Sequence, residues 1–119
     1  MIRDVTDLEV YKESLRLLKA LYGFLRKIPQ SEYDTVRQCK RAAKSISANI
    51  AEGFAKRSSA AEFKRFLKIA IGSSDETISH LRSLAVVLPR HLEEAKEVAN
   101  KYKVLSKRLN ALHKIWKSD

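Results

Sequence analysis

Gln38-Cys39-Lys40-Arg41-Ala42-Ala43-Lys44-Ser45-Ile46-Ser47-Ala48-Asn49-Ile50-Ala51-Glu52-Gly53-Phe54 forms one amphipathic helical pattern with two stripes. Together with Val36, residues Cys39, Ala43, Ile46 and Ile50 recur at three- and four-residue steps, the apolar seam of a packed helix. At about 100° per residue, Gln38, Arg41, Ser45, Asn49 and Glu52 fall on a second line, roughly opposite the seam. Arg37, Lys40 and Lys44 lie between the two lines as a basic edge. A helix facing only water would carry long Lys and Glu side chains where Ser45 and Asn49 stand. The polar line therefore stands out as a contact surface, and a plain solvated face is the bland alternative.

The same periodicity extends to both sides of this stretch. Thr6 to Glu9 fits a capping box that opens a first helix ending near Lys27, before Ile28-Pro29. Its expected seam is Leu8, Tyr11, Leu15, Leu18, Tyr22 and Leu25, and a second apolar line follows Val10, Leu17, Leu21, Phe24 and Ile28. So much apolar surface implies burial on two sides, either deep within its own bundle or, the favoured reading, against another copy of the chain. Ser31 with Asp34 offers a cap for the second helix, expected from about Glu32 to Phe54. Gly53 suits either a C-terminal cap or a close approach of another backbone. Lys56 and Arg57 suit the negative end of that helix.

Ser59 and Glu62 form another capping box, and the third helix runs to about Leu88, ended by Pro89. Its seam is Phe63, Leu67, Ala70, Ser74, Thr77, Leu81, Leu84 and Leu88, polar at its two middle positions. Gly72 and Ser73 beside them would let a neighbouring helix come close, and the hydroxyls can bond carbonyls one turn earlier. A fourth helix is expected from about Leu92 to Trp116, with Leu92, Ala95, Ala99, Tyr102, Leu105, Leu109, Leu112 and Trp116 on its seam. Short turns between four such helices make an all-α, antiparallel up-down-up-down four-helix bundle, about 35 to 40 Å long at ~1.5 Å per residue. The 119 residues form a single domain, with no internal repeat.

The formal charge is +10, and the excess is spread along the chain. From Asn100 onward no acidic residue appears until Asp119, whereas Lys101, Lys103, Lys107, Arg108, Lys114 and Lys117 all do. Such a field attracts polyanions, of which nucleic acid is the commonest in the cytoplasm. Arg37, Lys40 and Lys44 of the second helix and Lys103, Lys107, Arg108 and Lys114 of the fourth are the candidate phosphate contacts. No apolar run approaches the roughly 18 residues of a membrane span. The opening Met-Ile-Arg-Asp lacks the apolar core of a secretory signal. A lone cysteine, Cys39, on a seam fits a small buried side chain in a reducing cytoplasm.

Chemistry of other kinds is not indicated. His80, His91 and His113 lack metal-ligand spacing, and Glu76 with His80, four apart, reads as a surface contact. No Gly-rich phosphate loop occurs. Cys39 is badly placed for a nucleophile, and Asn49 and Glu52 lack a titratable partner. The expectation is a protein without catalytic activity, metal or cofactor.

Gln38, Arg41, Ala42, Ala43, Ser45, Ile46, Asn49, Ile50, Ala51, Glu52 and Gly53 match a Gln-x-x-Arg-Ala-Ala-x-Ser-Ile-x-x-Asn-Ile-Ala-Glu-Gly pattern. Glu62-Phe63, Phe66-Leu67, Ala70, Gly72-Ser73 and Glu76 continue the match, and the Leu109 to Leu112 tail looks similar. In these residues the chain resembles the small bundle proteins encoded within 23S ribosomal RNA intervening sequences, the S23 ribosomal protein family. Ser74 and Thr77 depart from the resemblance, which has apolar residues there. The resemblance implies a ring-like homopentamer associated with RNA. It also implies kinship with the accessory variability proteins of diversity-generating retroelements, basic pentamers that bind nucleic acid and a reverse transcriptase. Gln38, Arg41, Ser45, Asn49, Glu52, Gly53, Ser73 and Glu76 would then serve subunit contacts, with Arg41 and Glu52 available for salt bridges. A protein–protein scaffold with an incidental basic surface is the alternative to RNA binding.

Overall fold

The computed structural model describes residues 2–117. Its long helices are α1 (Glu9–Leu25), α2 (Tyr33–Ala55), α3 (Ala60–Val87) and α4 (Leu92–Ile115). Short 3-10 turns at Val5–Asp7, Gln30–Glu32 and Pro89–His91 precede α1, α2 and α4. Side-chain pairs fix the order and the direction. Arg41 and Ser45 of α2 meet Glu76 and Ser73 of α3, so rising numbers on one helix meet falling numbers on the next. Glu13 of α1 and Lys27, just beyond its end, meet Arg108 and Glu94 of α4 in the same reversed sense. Each helix thus has two antiparallel neighbours, and α1 lies diagonally across from α3. The molecule extends 49 × 20 × 19 Å. It is longer than expected because α3 has 28 residues, about 42 Å at ~1.5 Å each.

Local signals explain the start of α3 and the ends of α1 and α3, and the expected caps of α1 and α2 are corrected. The box expected at Thr6 and Glu9 is not formed: Leu8 precedes α1 with no side-chain cap, and the capping box sits on the 3-10 turn before it, built by Asp4 and Asp7. The Asp4 carboxylate accepts the Thr6 N–H at 3.0 Å, and the Asp7 carboxylate accepts the Asp4 N–H at 3.0 Å. Hydrogen bonds from Thr6 hold the Asp4 carboxyl below its usual range, and backbone N–H groups of Asp4 and Arg3 do the same for Asp7. α1 ends at Leu25 because the chain tightens into 3-10-type bonds before Pro29. Ser31 does not cap α2: it lies inside a 3-10 turn, and the N-cap position, Glu32, makes no side-chain cap. Ser59 does cap α3, accepting the Glu62 N–H at 3.2 Å, but Glu62 turns to Arg65 instead of completing the box. Leu88, before Pro89, has left the helical region with ψ 75°.

The core follows the expected seams of α2, α3 and α4 closely, although Leu92 at the start of α4 is exposed. Around α1 both apolar lines reach the core, with Leu8 and Leu25 of the expected seam buried at its two ends. Val10, Ser14, Leu21 and Phe24 are buried, whereas Leu15, in the expected seam, is 43% exposed. Tyr11, Leu18 and Tyr22 flank the core half-buried. The polar centre of α3 is satisfied from within. Ser74 Oγ donates to the Tyr102 carbonyl at 3.2 Å, Ser106 Oγ lies 2.7 Å from Ser74 Oγ, and Thr77 Oγ1 donates to the Ser73 carbonyl at 2.9 Å. This hydroxyl layer crosses the α3/α4 boundary at mid-bundle, so the departures at 74 and 77 cost the packing little.

Gly53 is neither a cap nor in a left-handed conformation. It lies inside α2 where α3 presses on it, and a Cβ there would sit 2.6 Å from Phe66 Cβ. Gly72 behaves in the opposite way. It is exposed, and a Cβ there would meet nothing within 4 Å, so it does not bring α2 and α3 together.

Candidate functional site

The polar stripe of α2 leans toward α3 and ties the two helices. Arg41 bridges the Gln38 side-chain oxygen, at 3.1 Å, and the Glu76 carboxylate. Glu76 also contacts His80 Nε2 at 3.2 Å. Ser45 Oγ pairs with Ser73 Oγ, and Asn49 Nδ2 donates to the Ser45 carbonyl at 2.8 Å. Gln38, Ser45, Asn49, Ser73 and Glu76 are half-buried, while Arg41 and Glu52 are exposed. Arg41 therefore has its acidic partner in its own chain. An exposed pair of this type contributes about 0–1 kcal/mol, so its value lies in setting the α2/α3 register more than in stability. Gly53 closes the same seam at its far end through Phe63 and Phe66.

The candidate basic residues do not converge on one site. Arg37, Lys40 and Lys44 face the α1/α2 groove, where with Arg41 they surround Tyr22 in a shallow hollow of about 350 Å³. The Lys40 ammonium lies 4.8 Å from the Tyr22 ring centre, a cation–π contact. Arg37 has a loose partner, Asp34, at 3.7 Å. Lys103 and Lys107 face the α3/α4 groove with Arg82, on the opposite side of the bundle. Arg108 turns toward α1 and holds Glu13, whose side chain is only 13% exposed. Lys114 stands exposed at the end of α4. Its neighbour His113 is pushed below the ordinary histidine range by burial first and then by the charges of Lys64 and Lys68.

Two further cations stand near the α1/α2 face without lining the hollow. Lys19 and Arg26, both exposed, stand three residues before and four after Tyr22, the spacing of neighbours on one helical face. The signal in the sequence was this pair of steps around an aromatic residue, meaningful only once α2 is placed beside it. An aromatic ring framed by cations is chemically suited to phosphates and, where Lys40 swings aside, to the face of a base.

No group of three or more His, Cys, Asp or Glu side chains among the described residues is arranged to hold a metal ion. Cys39 is fully buried, and desolvation pushes its thiol up to about 12. No helix among the described residues is long and apolar enough to cross a membrane.

The family model described as 23S rRNA-intervening sequence protein matches residues 6–111 of the chain. Among solved structures, a protein of unknown function from the S23 ribosomal protein family of Bacteroides thetaiotaomicron is similar, with 29% identity and a TM-score of 0.77. The match covers 88% of this chain and 98% of that one. No curated protein matches the chain.

Proposed function

The chain belongs to the 23S rRNA-intervening sequence protein family, and from that membership we propose that it is a non-catalytic, cytoplasmic, self-associating bundle that binds RNA or another nucleic acid. The observation that carries this reading is the α1/α2 face, where Arg37, Lys40 and Lys44 frame Tyr22 without a close acidic partner for either lysine among the described residues. Phosphates would be held by the cations and released with salt. The test is titration of nuclease-treated protein with a structured RNA and a matched duplex DNA at low and near-physiological salt. Steep salt dependence with binding that persists near physiological salt and favours RNA is the expected result. Binding that vanishes there, or is equal for both polyanions, would make the charge nonspecific.

Self-association, as a pentamer in line with the resemblance, is assigned to the outer α2/α3 face. Gly72 lies bare there, and Ile69, one turn earlier on α3, is 42% exposed. A bare glycine on an exposed helix costs about 1 kcal/mol relative to alanine, which a second chain packing close to it would justify. Asn49 and Glu52 border the same face from α2. Light scattering of Gly72→Leu tests it: a lower particle mass is expected, and an unchanged oligomer would remove this face from the contact. The second reading, an accessory scaffold for a reverse transcriptase or another protein, is favoured by an apolar groove between α3 and α4.

A further inference from the structure

That groove has features that phosphate binding does not use. It has a volume of about 420 Å³ and is lined by Leu81, Ala85, Leu92, Ala95 and Ala99, with Val86 at its edge. The alanines create it: at three positions where the two helices face each other, a methyl group stands where a larger side chain would fill the gap. Val86 projects at the edge with 78% of its surface exposed, and Leu92 is 38% exposed. Arg82 of α3 lines one edge, and Lys96 and Lys103 of α4 line the other. A shallower hollow continues the groove past Ile78 to Lys107, sharing Arg82 and Lys103; Asp75 lines its far end, where its carboxylate accepts from Ser106 Oγ at 3.0 Å. From Asp75 to Val86 the length is about 16 Å at ~1.5 Å per residue, three turns of a helix.

We propose that the α3/α4 groove docks an acidic amphipathic helix of a partner protein. Three turns of such a helix would place apolar anchors at i, i+3 or i+4, and i+7 onto the floor. Lys96 and Lys103 are seven residues apart, two turns along one edge, so carboxylates at the same spacing on the partner would meet both. Arg82 would meet an acid on the opposite flank. A nucleic-acid strand could reach the cations but would leave the apolar floor wet. A second copy of this chain suits the groove poorly. Two of its own exposed apolar side chains, one on α1 and one on α4, stand among cations: Leu15 beside Lys12, Arg16 and Lys19, and Val104 beside Lys101, Lys107 and Arg108. These would meet a rim of the same sign.

The inference does not depend on polyanion binding at the α1/α2 face, and its test separates the two. The probe is a fluorescein-labelled amphipathic peptide of about 15 residues, with leucines at helical three- and four-residue steps and glutamates on both flanks. A twin peptide carries lysines in place of the glutamates. Fluorescence anisotropy should show binding of the acidic peptide alone. The double variant Lys96→Glu/Lys103→Glu and the single variant Val86→Asp should each weaken it at least about tenfold, while Lys40→Glu/Lys44→Glu should leave it unchanged. All these side chains except Lys40 are exposed, and circular dichroism checks that each variant folds. Equal binding of the twin peptides, or unchanged binding by the groove variants, overturns the proposal. So does a fall in particle mass for Val86→Asp, which would give the groove to a second copy. So does displacement of the peptide by poly(U) with loss of poly(U) binding in the Lys96→Glu/Lys103→Glu variant, which would give it to nucleic acid.

Discussion

Gly53 on α2 and Phe66 on α3 approach so closely that a methyl group on Gly53 would lie 2.6 Å from Phe66 Cβ and 3.3 Å from the Phe63 carbonyl oxygen. Backbone and Cβ atoms cannot swing aside, so the helices themselves must separate. Gly53→Ala is expected to lower stability by about 1–3 kcal/mol, after the helical preference of alanine has been counted. Urea denaturation measures this, and a stabilised variant would show that α2 and α3 can part at no cost.

Tyr102 leads to the opposite expectation. Its ring is fully buried and its hydroxyl has no hydrogen-bond partner among the described residues. Burial pushes the phenol above its ordinary range, and nearby Cys39 and Tyr22 add to the effect. Tyr102→Phe removes the desolvated hydroxyl and keeps the ring, so a gain of about 1 kcal/mol is expected. A loss of that size would mean that the hydroxyl has a partner in solution, such as an internal water.

Cys39 links stability to alkaline pH. Its thiol is raised from 9.0 to about 12 by burial first and by the Glu76 charge second. The sign follows from linkage. Below pH 9 the thiol is protonated in both states and burial of the neutral form is fully favourable. Between pH 9 and about 12 the unfolded chain ionises first, and stability falls. Urea midpoints should drop across the accessible lower part of that window, and Cys39→Ala should flatten the drop. Iodoacetamide at pH 8 should label the folded chain far more slowly than the unfolded one.

The charge variants divide by face. Lys40→Glu/Lys44→Glu should weaken RNA binding and reduce the logarithmic salt slope by about 2, one for each phosphate no longer neutralised. Arg108→Glu should instead cost stability, about 1–2 kcal/mol, because it leaves the half-buried Glu13 carboxylate facing a like charge. Filter binding across a salt series, paired with thermal melts, resolves both. An unchanged salt slope in the first variant would move the nucleic-acid site elsewhere.

The helices of this bundle are legible where the signal is local. Ser59 before α3, Pro89 after it, and a period of 3.6 from Phe63 to Leu84 need no knowledge of neighbours. The buried side of α1 is less legible for a physical reason. Its two apolar lines are equally apolar, and the one with more buried residues lies beside Ser14, whose hydroxyl hides by bonding the Tyr11 carbonyl at 2.6 Å. Only the positions of α2 and α4 decide between them. The basic residues show the same limit. Their number is plain in the sequence, but which groove each one faces depends on the third dimension, and the fourth-helix cations part into three directions. Gly53 and Gly72 look alike in the chain, and only packing separates the indispensable one from the bare one.

The hydroxyl layer of Ser74, Ser106 and the Tyr102 carbonyl also acts as an index mark between α3 and α4. Sliding one helix past the other by a single turn, about 5.4 Å, would separate Ser106 Oγ from both Ser74 Oγ and the Asp75 carboxylate. Every orphaned buried group would then cost about 1–3 kcal/mol. Leucine seams alone tolerate such slippage, since one leucine fits the hollow left by the next. Here the misaligned bundle is penalised at its centre, and the groove between these helices keeps its alanines opposite one another.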